Sequence, residues 1–326
     1  MAGKSQVNCH CCQSNEVKKS GRFTNKNFTV QRYQCNRCGK TFSDKQPLDG
    51  LRVDFKQAAQ VVHLLCEGMG IRAIERFMRL NRRTVLGILE MAGQKAARLL
   101  DMQIRNLEIE SVQCDEVFAF VGCKEFNNAL EDPELGTQYT FLAVDRKSKL
   151  IVSHHIGKER SRENAEILMG DLRSRLKNRT QITTDGLYGY VGAVYNTFGA
   201  DVDFAQQAKT YADRNFGAYR DERRYSVAKG CTKVKTSIHI GKPDRALIST
   251  SHVERTNLSV RLFNRRFTRL TLGYSKKLAN LKHSMALLIA HFNFCRVHSA
   301  HKMTPAMSAE LTNHVWTIEE LLTTPI

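Results

Sequence analysis

Three acidic residues stand where their carboxylates could act together. Asp115 lies at the centre of the apolar run SVQCDEVFAFVG, and Asp185 ends TQITTDG. Glu254 lies near the start of SHVERTNLSVRLFNRR, a run typical of a basic helix. An acid inside an apolar strand is costly unless something neutralises it. Three carboxylates at one sheet edge can hold two divalent ions for phosphodiester chemistry, and an oxygen-rich site favours Mg²⁺ or Mn²⁺ over zinc.

Neighbouring acids are weaker candidates for this site. Glu116 is expected to point to the opposite strand face from Asp115, because side chains alternate along a strand. Asp145 and Asp171 are expected in a turn and on a helix surface. Each of the three main acids, taken alone, could be a plain surface carboxylate. Their joint placement on two strands and at the start of a helix favours a common site.

The acids fall within a regular succession of predicted elements. The strands are expected at 111–122, 137–149, 150–157, 180–186 and 201–206, and the helices at 161–178 and 187–199. Three strands in a row, then helix, strand, helix and strand, is the ribonuclease H-like order, an α/β fold with a mixed sheet and helices on both faces. We assign this catalytic core to residues 107–302.

The N-terminal segment, residues 1–50, has the spacing of a zinc ribbon. Its four cysteines form two Cys-x2-Cys pairs: Cys9, Cys12, Cys35 and Cys38. Two such pairs can complete a tetrahedral four-thiolate Zn²⁺ site, and a segment this short needs a metal to hold it together. His10 and Cys11 offer alternative ligands, and a redox-active pair lacks its usual βαβ context. The basic ribbon is expected to contact DNA, with a protein contact as the alternative.

Residues 51–106 have the pattern of a helix-turn-helix. Asp54 can cap a first helix, a GMG run at 68–70 ends it, and a short second helix and a tight turn follow. The third helix opens with Arg82, Arg83 and Thr84, which would reach into a major groove. The alternative is a plain three-helix linker with exposed arginines.

The net charge points to a polyanionic partner. The 326 residues carry 50 Lys+Arg against 32 Asp+Glu, a formal charge of +18. Residues 111–207 have a net charge of −3, whereas 1–50 have +6 and 254–297 have +8. Basic arms around an acidic centre suit metal-dependent chemistry on nucleic acid. The chain lacks a run able to span a bilayer and an apolar signal region, so we expect a reducing cytosol, where cysteines bind metal rather than form disulfides.

Further basic residues are candidates for DNA contacts. Segment 208–247 interleaves aromatic side chains with cations such as Arg223 and Arg224, and it is expected to be an insertion that either grips frayed DNA or forms a small subdomain of its own. Along the helix that carries Glu254, the candidates are Arg255, Asn257, Arg261 and Arg265. An apolar stripe from 278 to 295 is expected to be core, with a dimer contact as second choice. Residues 303–326 are expected to form a C-terminal cap.

The combined motifs resemble the transposases of bacterial insertion sequences, specifically the insertion-sequence-one family. The likeness covers nearly the whole chain and rests on the paired cysteines, the helix-turn-helix, CDEVFAFVG, TTDGLYGY and VERTNLSVR. It implies that Asp115, Asp185 and Glu254 form a DDE triad holding two Mg²⁺, flanked by His252 and Asn257. The chemistry implied is cleavage at terminal inverted repeats, followed by attack of the freed 3′-hydroxyl on target DNA.

The chain departs from the family in its second spacing, where 68 residues separate Asp185 from Glu254. Together with the continuous reading frame, this suggests a single-frame, long-spacing subgroup. The expected partners are transposon-end and target DNA and a second copy of the chain or a larger homo-oligomer. The expected location is the nucleoid-associated cytoplasm of a bacterium or archaeon. The competing functions are a DNA-binding regulator and a structure-selective nuclease on the same fold.

Overall fold

The computed structural model describes residues 7–9, 11–12, 14–24, 29–43, 53–129, 131–211 and 231–324. Its strands are β1 Val17–Thr24, β2 Thr29–Cys35, β3 Thr41–Ser43, β4 Ser111–Val121, β5 Gly136–Asp145, β6 Ile151–Gly157, β7 Thr180–Thr184, β8 Val202–Tyr211 and β9 Cys231–Ile240. Its helices are α1 Phe55–Cys66, α2 Ile71–Met78, α3 Arg82–Gln103, α4 Arg162–Arg175, α5 Gly189–Phe198, α6 Ser251–Phe263, α7 Leu278–Ala290, α8 Pro305–Ser308 and α9 Ile318–Thr323. No helix in these ranges is long and apolar enough to cross a membrane.

The N-terminal segment is a small antiparallel sheet in the order β1-β2-β3. The hairpin expected between the two cysteine pairs is present as β1 and β2. Gly39 has a φ of +70°, as the turn after Cys38 requires. Tyr33 and Phe42 stack with ring centroids 5.8 Å apart, which is a small apolar contact for a segment of this length.

The six-stranded main sheet has the order β6-β5-β4-β7-β8-β9. Strands β6, β5 and β4 are antiparallel neighbours, whereas β4, β7 and β8 run parallel. Helix α4 connects β6 to β7, and α5 connects β7 to β8. The mixed α/β sheet predicted from the sequence is therefore confirmed, because every strand and helix expected between 111 and 206 is present in that order.

The segment 208–247 differs from the prediction in part. Strand β8 continues to Tyr211, and β9 pairs with it antiparallel as a sixth strand of the sheet. The run CTKVKTSIHI alternates β-branched and polar residues, as a β-strand does. The sequence prediction missed this strand because the lysines drew attention to the charge of the run. The arginines Arg223 and Arg224 lie outside the described residues, as do most of the aromatic residues of the segment.

The N-terminal helices follow the predicted helix-turn-helix order. Asp54 caps α1 by accepting a hydrogen bond from the backbone N–H of Gln57. Gly68 has a φ of +78°, and a Cβ there would lie 2.8 Å from the carbonyl oxygen of Leu262, so the turn requires glycine. Asn81 caps α3, which then continues without a break for 22 residues.

Helix α3 packs along α7, and the two helices join the hydrophobic core of the main sheet. The two helices pack tightly at Gly93, where a Cβ would lie 2.5 Å from the Cβ of His283. Most of the apolar stripe predicted for residues 278–295 is buried, and its partly buried ends, Leu278 and Cys295, pack against the core, which confirms its assignment to the core. At the C-terminus, Trp316 packs on Phe294 with ring centroids 4.7 Å apart, and α9 lies against α1.

Candidate active site

Asp115 and Asp185 meet because their strands are parallel neighbours. In the register of β4 and β7, Cys114 pairs with Thr184, so the two aspartates follow at the same level. A carboxylate oxygen of each, together with one from Glu116, forms a group whose atoms all lie within 4.8 Å of one another. The sequence-predicted pair is thus brought together at one edge of the parallel strands.

Glu116 is part of this cluster although strand alternation made it a weaker candidate. Side chains alternate along a strand, so Glu116 and Asp115 contact different residues. The partner of Glu116 is Arg160, which donates a hydrogen bond to it from the segment before α4. Arg160 Nη2 lies 2.7 Å from Glu116 Oε2 and 2.8 Å from Asp185 Oδ2, so one guanidinium bridges two acids. The Glu116 side chain is only 2% exposed. The Glu116 side chain is long enough to bring its carboxylate back to the cluster. The alternation of Cβ atoms alone does not predict this.

Glu254 projects from the first turn of α6 and lies outside the 4.8 Å group. Its Oε1 accepts hydrogen bonds from Lys209 Nζ and Thr250 Oγ1, each at 2.6 Å. The charge of Glu254 contributes to the raised pKa of Asp115. Asn257, three residues further along α6, hydrogen-bonds Asp115, so Glu254 lies on the helix face that is turned towards the cluster. No sequence pattern pointed to Lys209 as its partner, because strand β8 was predicted to end before that residue.

The start of α6 is fixed against β4 by one side chain. Gln113 Oε1 accepts hydrogen bonds from the backbone N–H groups of His252 and Val253, at 2.9 and 3.2 Å. From the same helix, Asn257 Nδ2 donates to Asp115 Oδ2 at 2.8 Å. The helix therefore orients Asp115 directly and carries Glu254 in a fixed position relative to it.

The cluster carries more negative charge than its cations neutralise. Burial raises the pKa of Asp115 to about 6, and the charges of Asp185 and Glu254 act in the same direction. Burial, with the charge of Asp185, raises the pKa of Glu116 to about 7, although a hydrogen bond from Tyr190 and the charge of Arg160 oppose this increase. Buried acidic oxygens with unmet charge fit a hard divalent cation such as Mg²⁺ or Mn²⁺.

The other residues predicted for the site form no salt bridge with the acids within the described part of the chain. The His252 ring lies 3.4 Å from Lys149 Nζ; burial and the nearby charges of Lys149 and Arg146 lower its pKa. Arg255 is exposed on α6. Arg261 lies near Asp115, whose charge partly offsets the lowering of the Arg261 pKa by burial and by a neighbouring arginine.

Arg265 corrects a prediction made from helical spacing. Helix α6 ends at Phe263, and Arg265 begins a separate 3₁₀ turn. Its side chain therefore leaves the face that carries Glu254 and packs against Gly70 and Gly273. The prediction of helical spacing was wrong because the helix ends before Arg265, at Asn264, whose side chain caps the 3₁₀ turn.

The predicted recognition residues lie at the start of α3. The side chains of Arg82 and Arg83 are exposed, and Thr84 is half-buried. Their backbone is anchored, since the N–H of Arg82 donates to Glu75 Oε1 and that of Arg83 donates to Asn81 Oδ1. Both guanidinium groups are therefore presented from a fixed helix end.

The four predicted zinc ligands come together in the N-terminal sheet. Their Sγ atoms all lie within 4.8 Å of one another. The Cys9 and Cys38 sulfurs are 3.6 Å apart, and those of Cys12 and Cys35 are 3.5 Å apart. Cys11 is exposed and belongs to no such group within the described part of the segment. Four convergent sulfurs match the tetrahedral donor set of structural Zn²⁺.

Comparisons with known proteins give a distant structural likeness. No protein-family model matches the chain, and no curated protein matches it in sequence. Among solved structures, the chain is similar to a piggyBac transposase in a synaptic complex with hairpin DNA, at 10% identity and a TM-score of 0.38. The alignment covers 81% of this chain and 68% of that one. A likeness this distant decides neither fold nor function, so the function must be inferred from the site.

Proposed function

We propose that this protein is a DNA transposase with a ribonuclease H-like core and a DDE triad, of the insertion-sequence-one type. The observation that carries the proposal is the convergence of Asp115 and Asp185 from adjacent parallel strands, with Glu254 facing them from α6. Strand order supports the proposal, because the antiparallel trio β6-β5-β4 continues into parallel β7 and β8.

Asp115, Asp185 and Glu254 would hold two Mg²⁺ ions. When bound, the metals supply Lewis-acid activation of the attacking and leaving oxygens of a phosphodiester. The protein's own groups fix the triad: Asn257 orients Asp115, and Lys209 holds Glu254. The guanidinium that bridges Glu116 and Asp185 limits the repulsion between the acids.

The remaining parts have supporting roles in this proposal. The helix-turn-helix, through Arg82 and Arg83, binds the terminal inverted repeats, and the N-terminal sheet with its zinc site adds a second basic contact to DNA. Exposed Arg255 and half-buried Arg261 lie beside the triad and suit backbone phosphates. Synapsis of two DNA ends calls for a dimer or larger assembly. The division into 1–50, 51–106, 107–302 and 303–326 remains a prediction.

A strand-transfer assay tests the proposal. The substrate is a plasmid carrying the gene's own flanking DNA, and Mg²⁺ is supplied with labelled target DNA. Asp115→Asn, Asp185→Asn and Glu254→Gln are each expected to lower joining by about 1,000-fold, since losing a ligand of a catalytic metal removes several kcal/mol of transition-state stabilisation. Glu108→Gln, an exposed acid at 72% side-chain exposure, is the matched control and should remain active.

Two outcomes would overturn the assignment. Full joining by all three triad variants would show that these acids do not form the active site. Mg²⁺-dependent cutting of branched DNA with no joining would make the protein a structure-selective nuclease on the same fold.

A further inference from the structure

A second charged site, which shares no residue with the acidic cluster, lies where the helix-turn-helix meets the segment after α6. It is a cleft of about 480 Å³. Its wall includes five cationic residues from three parts of the chain: Arg72, Arg82, Arg265, Arg266 and Lys276. No acidic residue lines it within the described part of the chain.

The cations of this cleft have no acidic partner in a salt bridge within the described part of the chain. Across residues 53–129, 131–211 and 231–324, none of the five forms an ion pair. Glu75 accepts a hydrogen bond from the backbone N–H of Arg82, but it does not line the cleft and forms no ion pair with its cations within the described part of the chain. Arg72, Arg265 and Lys276 are exposed, and Lys276 Nζ lies 4.3 Å above the Tyr274 ring.

Arg266 is the exceptional member, because it is 9% exposed and still lines the cleft. Its Nε donates to Ser275 Oγ at 2.9 Å and its Nη1 donates to Ser284 Oγ at 3.1 Å, both neutral partners. Burial lowers the pKa of Arg266 to about 10, so it stays protonated at neutral pH. A buried positive charge without a counter-ion is costly to keep and indicates an anionic ligand.

The cleft is built by close packing rather than by loose surface residues. A Cβ on Gly70 would meet Arg265 Cγ at 3.6 Å, and one on Gly273 would meet Arg265 Cγ and Nε at 3.1 Å. The two glycines therefore hold the stem of Arg265 between them. The apolar side chains of Ile71, Leu86 and Leu272 line the cleft beside the cations. Such a surface suits the sugar rings that lie between the phosphates of a DNA backbone.

We propose that this cleft binds the phosphodiester backbone of duplex DNA next to the groove entered by α3. The inference rests on the proposed function, since it assigns DNA as the ligand. Arg82 belongs both to the cleft and to the start of the predicted recognition helix. The DNA backbone that borders the major groove passes the start of this helix. Phosphate contacts there fix the orientation of the protein on the duplex and do not read the base sequence.

Salt-dependent binding tests the proposal without any catalytic step. The probe is a fluorescently labelled duplex of arbitrary sequence, and the full chain carries Arg72→Gln with Lys276→Gln. Each lost phosphate contact should reduce the magnitude of the slope of log affinity against log salt concentration by about 0.9. The double variant should therefore have a slope whose magnitude is smaller by about 2. Its affinity should fall about 10- to 60-fold at about 0.1 M salt. Arg98→Gln with Lys147→Gln, exposed cations outside the cleft, is the matched control.

Crosslinking gives an independent measurement on the folded protein. Leu272 is 78% exposed and lines the cleft, whereas Met102 is 55% exposed near the far end of α3. A photo-crosslinking amino acid at 272 should capture the duplex, and the same group at 102 should not. An unchanged salt slope or equal capture at both positions would overturn the proposal. Absence of strand transfer with an intact slope effect would instead count against the proposed function.

Discussion

Replacing Asp115 with asparagine is expected to stabilise the fold while abolishing metal-dependent activity. Burial and neighbouring acids raise the pKa of Asp115 from 3.8 to about 6. A pKa difference of one corresponds to about 1.4 kcal/mol, so ionising this carboxyl costs the folded state about 3 kcal/mol. Asparagine keeps the size of the side chain and an oxygen that can accept from Asn257, and it carries no charge.

The direction of the pH dependence of stability follows from proton binding. Between pH 3.8 and about 6 the folded protein holds a proton on Asp115 that the unfolded chain has released. Its contribution to stability is therefore complete below pH 3.8 and is lost as the pH rises through about 6. The gain from Asp115→Asn should be largest at alkaline pH, at about 1–3 kcal/mol once some relaxation is allowed, and should vanish in acid.

The assay is urea unfolding without divalent ions, followed by the fluorescence of the single tryptophan, Trp316, at several pH values. Asp145→Asn is the matched control, because Asp145 is also buried but accepts from the backbone N–H groups of Lys147 and Ser148. That variant should lose stability. An Asp115→Asn protein no more stable than wild type at alkaline pH, or with a gain that does not change with pH, would refute the account of the cluster.

Two further predictions concern the four-cysteine segment and the helix packing. Cys35→Ser should lose bound zinc and the hydrogen-exchange protection of residues 14–43, whereas exposed Cys11→Ser should retain both; equal zinc content in the two proteins would contradict the four-sulfur site. Gly93→Ala should lower the free energy of unfolding by about 1–3 kcal/mol, because its Cβ would overlap His283. Gly170→Ala, where a Cβ meets nothing within 4 Å, should raise it by about 0.5–1 kcal/mol; urea midpoints that move together would refute the packing argument.

The features predicted from the sequence depend on local patterns. The Cys-x2-Cys spacing brings four sulfurs together without knowledge of distant residues. The alternating apolar runs predicted β4 to β7 in order, and the polar end of TQITTDG placed Asp185 after its strand. Because β4 and β7 are parallel neighbours in that order, the meeting of Asp115 with Asp185 followed from the predicted topology.

The features that were missed depend on contacts between distant parts of the chain. Arg160 reaches Glu116 and Asp185 from the segment before α4, and no spacing rule connects these positions. Lys209 reaches Glu254 only because β8 is longer than its apolar core suggests. Strand β9 was obscured because its lysines were interpreted as a ligand-binding run, although they alternate with β-branched residues.

Helix α3 is unbroken, so the distance between its two ends is fixed. Its 22 residues, at about 1.5 Å each, span about 33 Å, close to one turn of B-form DNA. One end presents Arg82, and the body of the helix is locked to α7 at Gly93, so no flexible joint lies between them. Under the proposed function, a recognised sequence bound at the start of α3 would lie at a set number of base pairs from the phosphodiester that reaches the acids. Shifting the cut site would then require a new DNA sequence, since the protein has no hinge within this helix to adjust the distance.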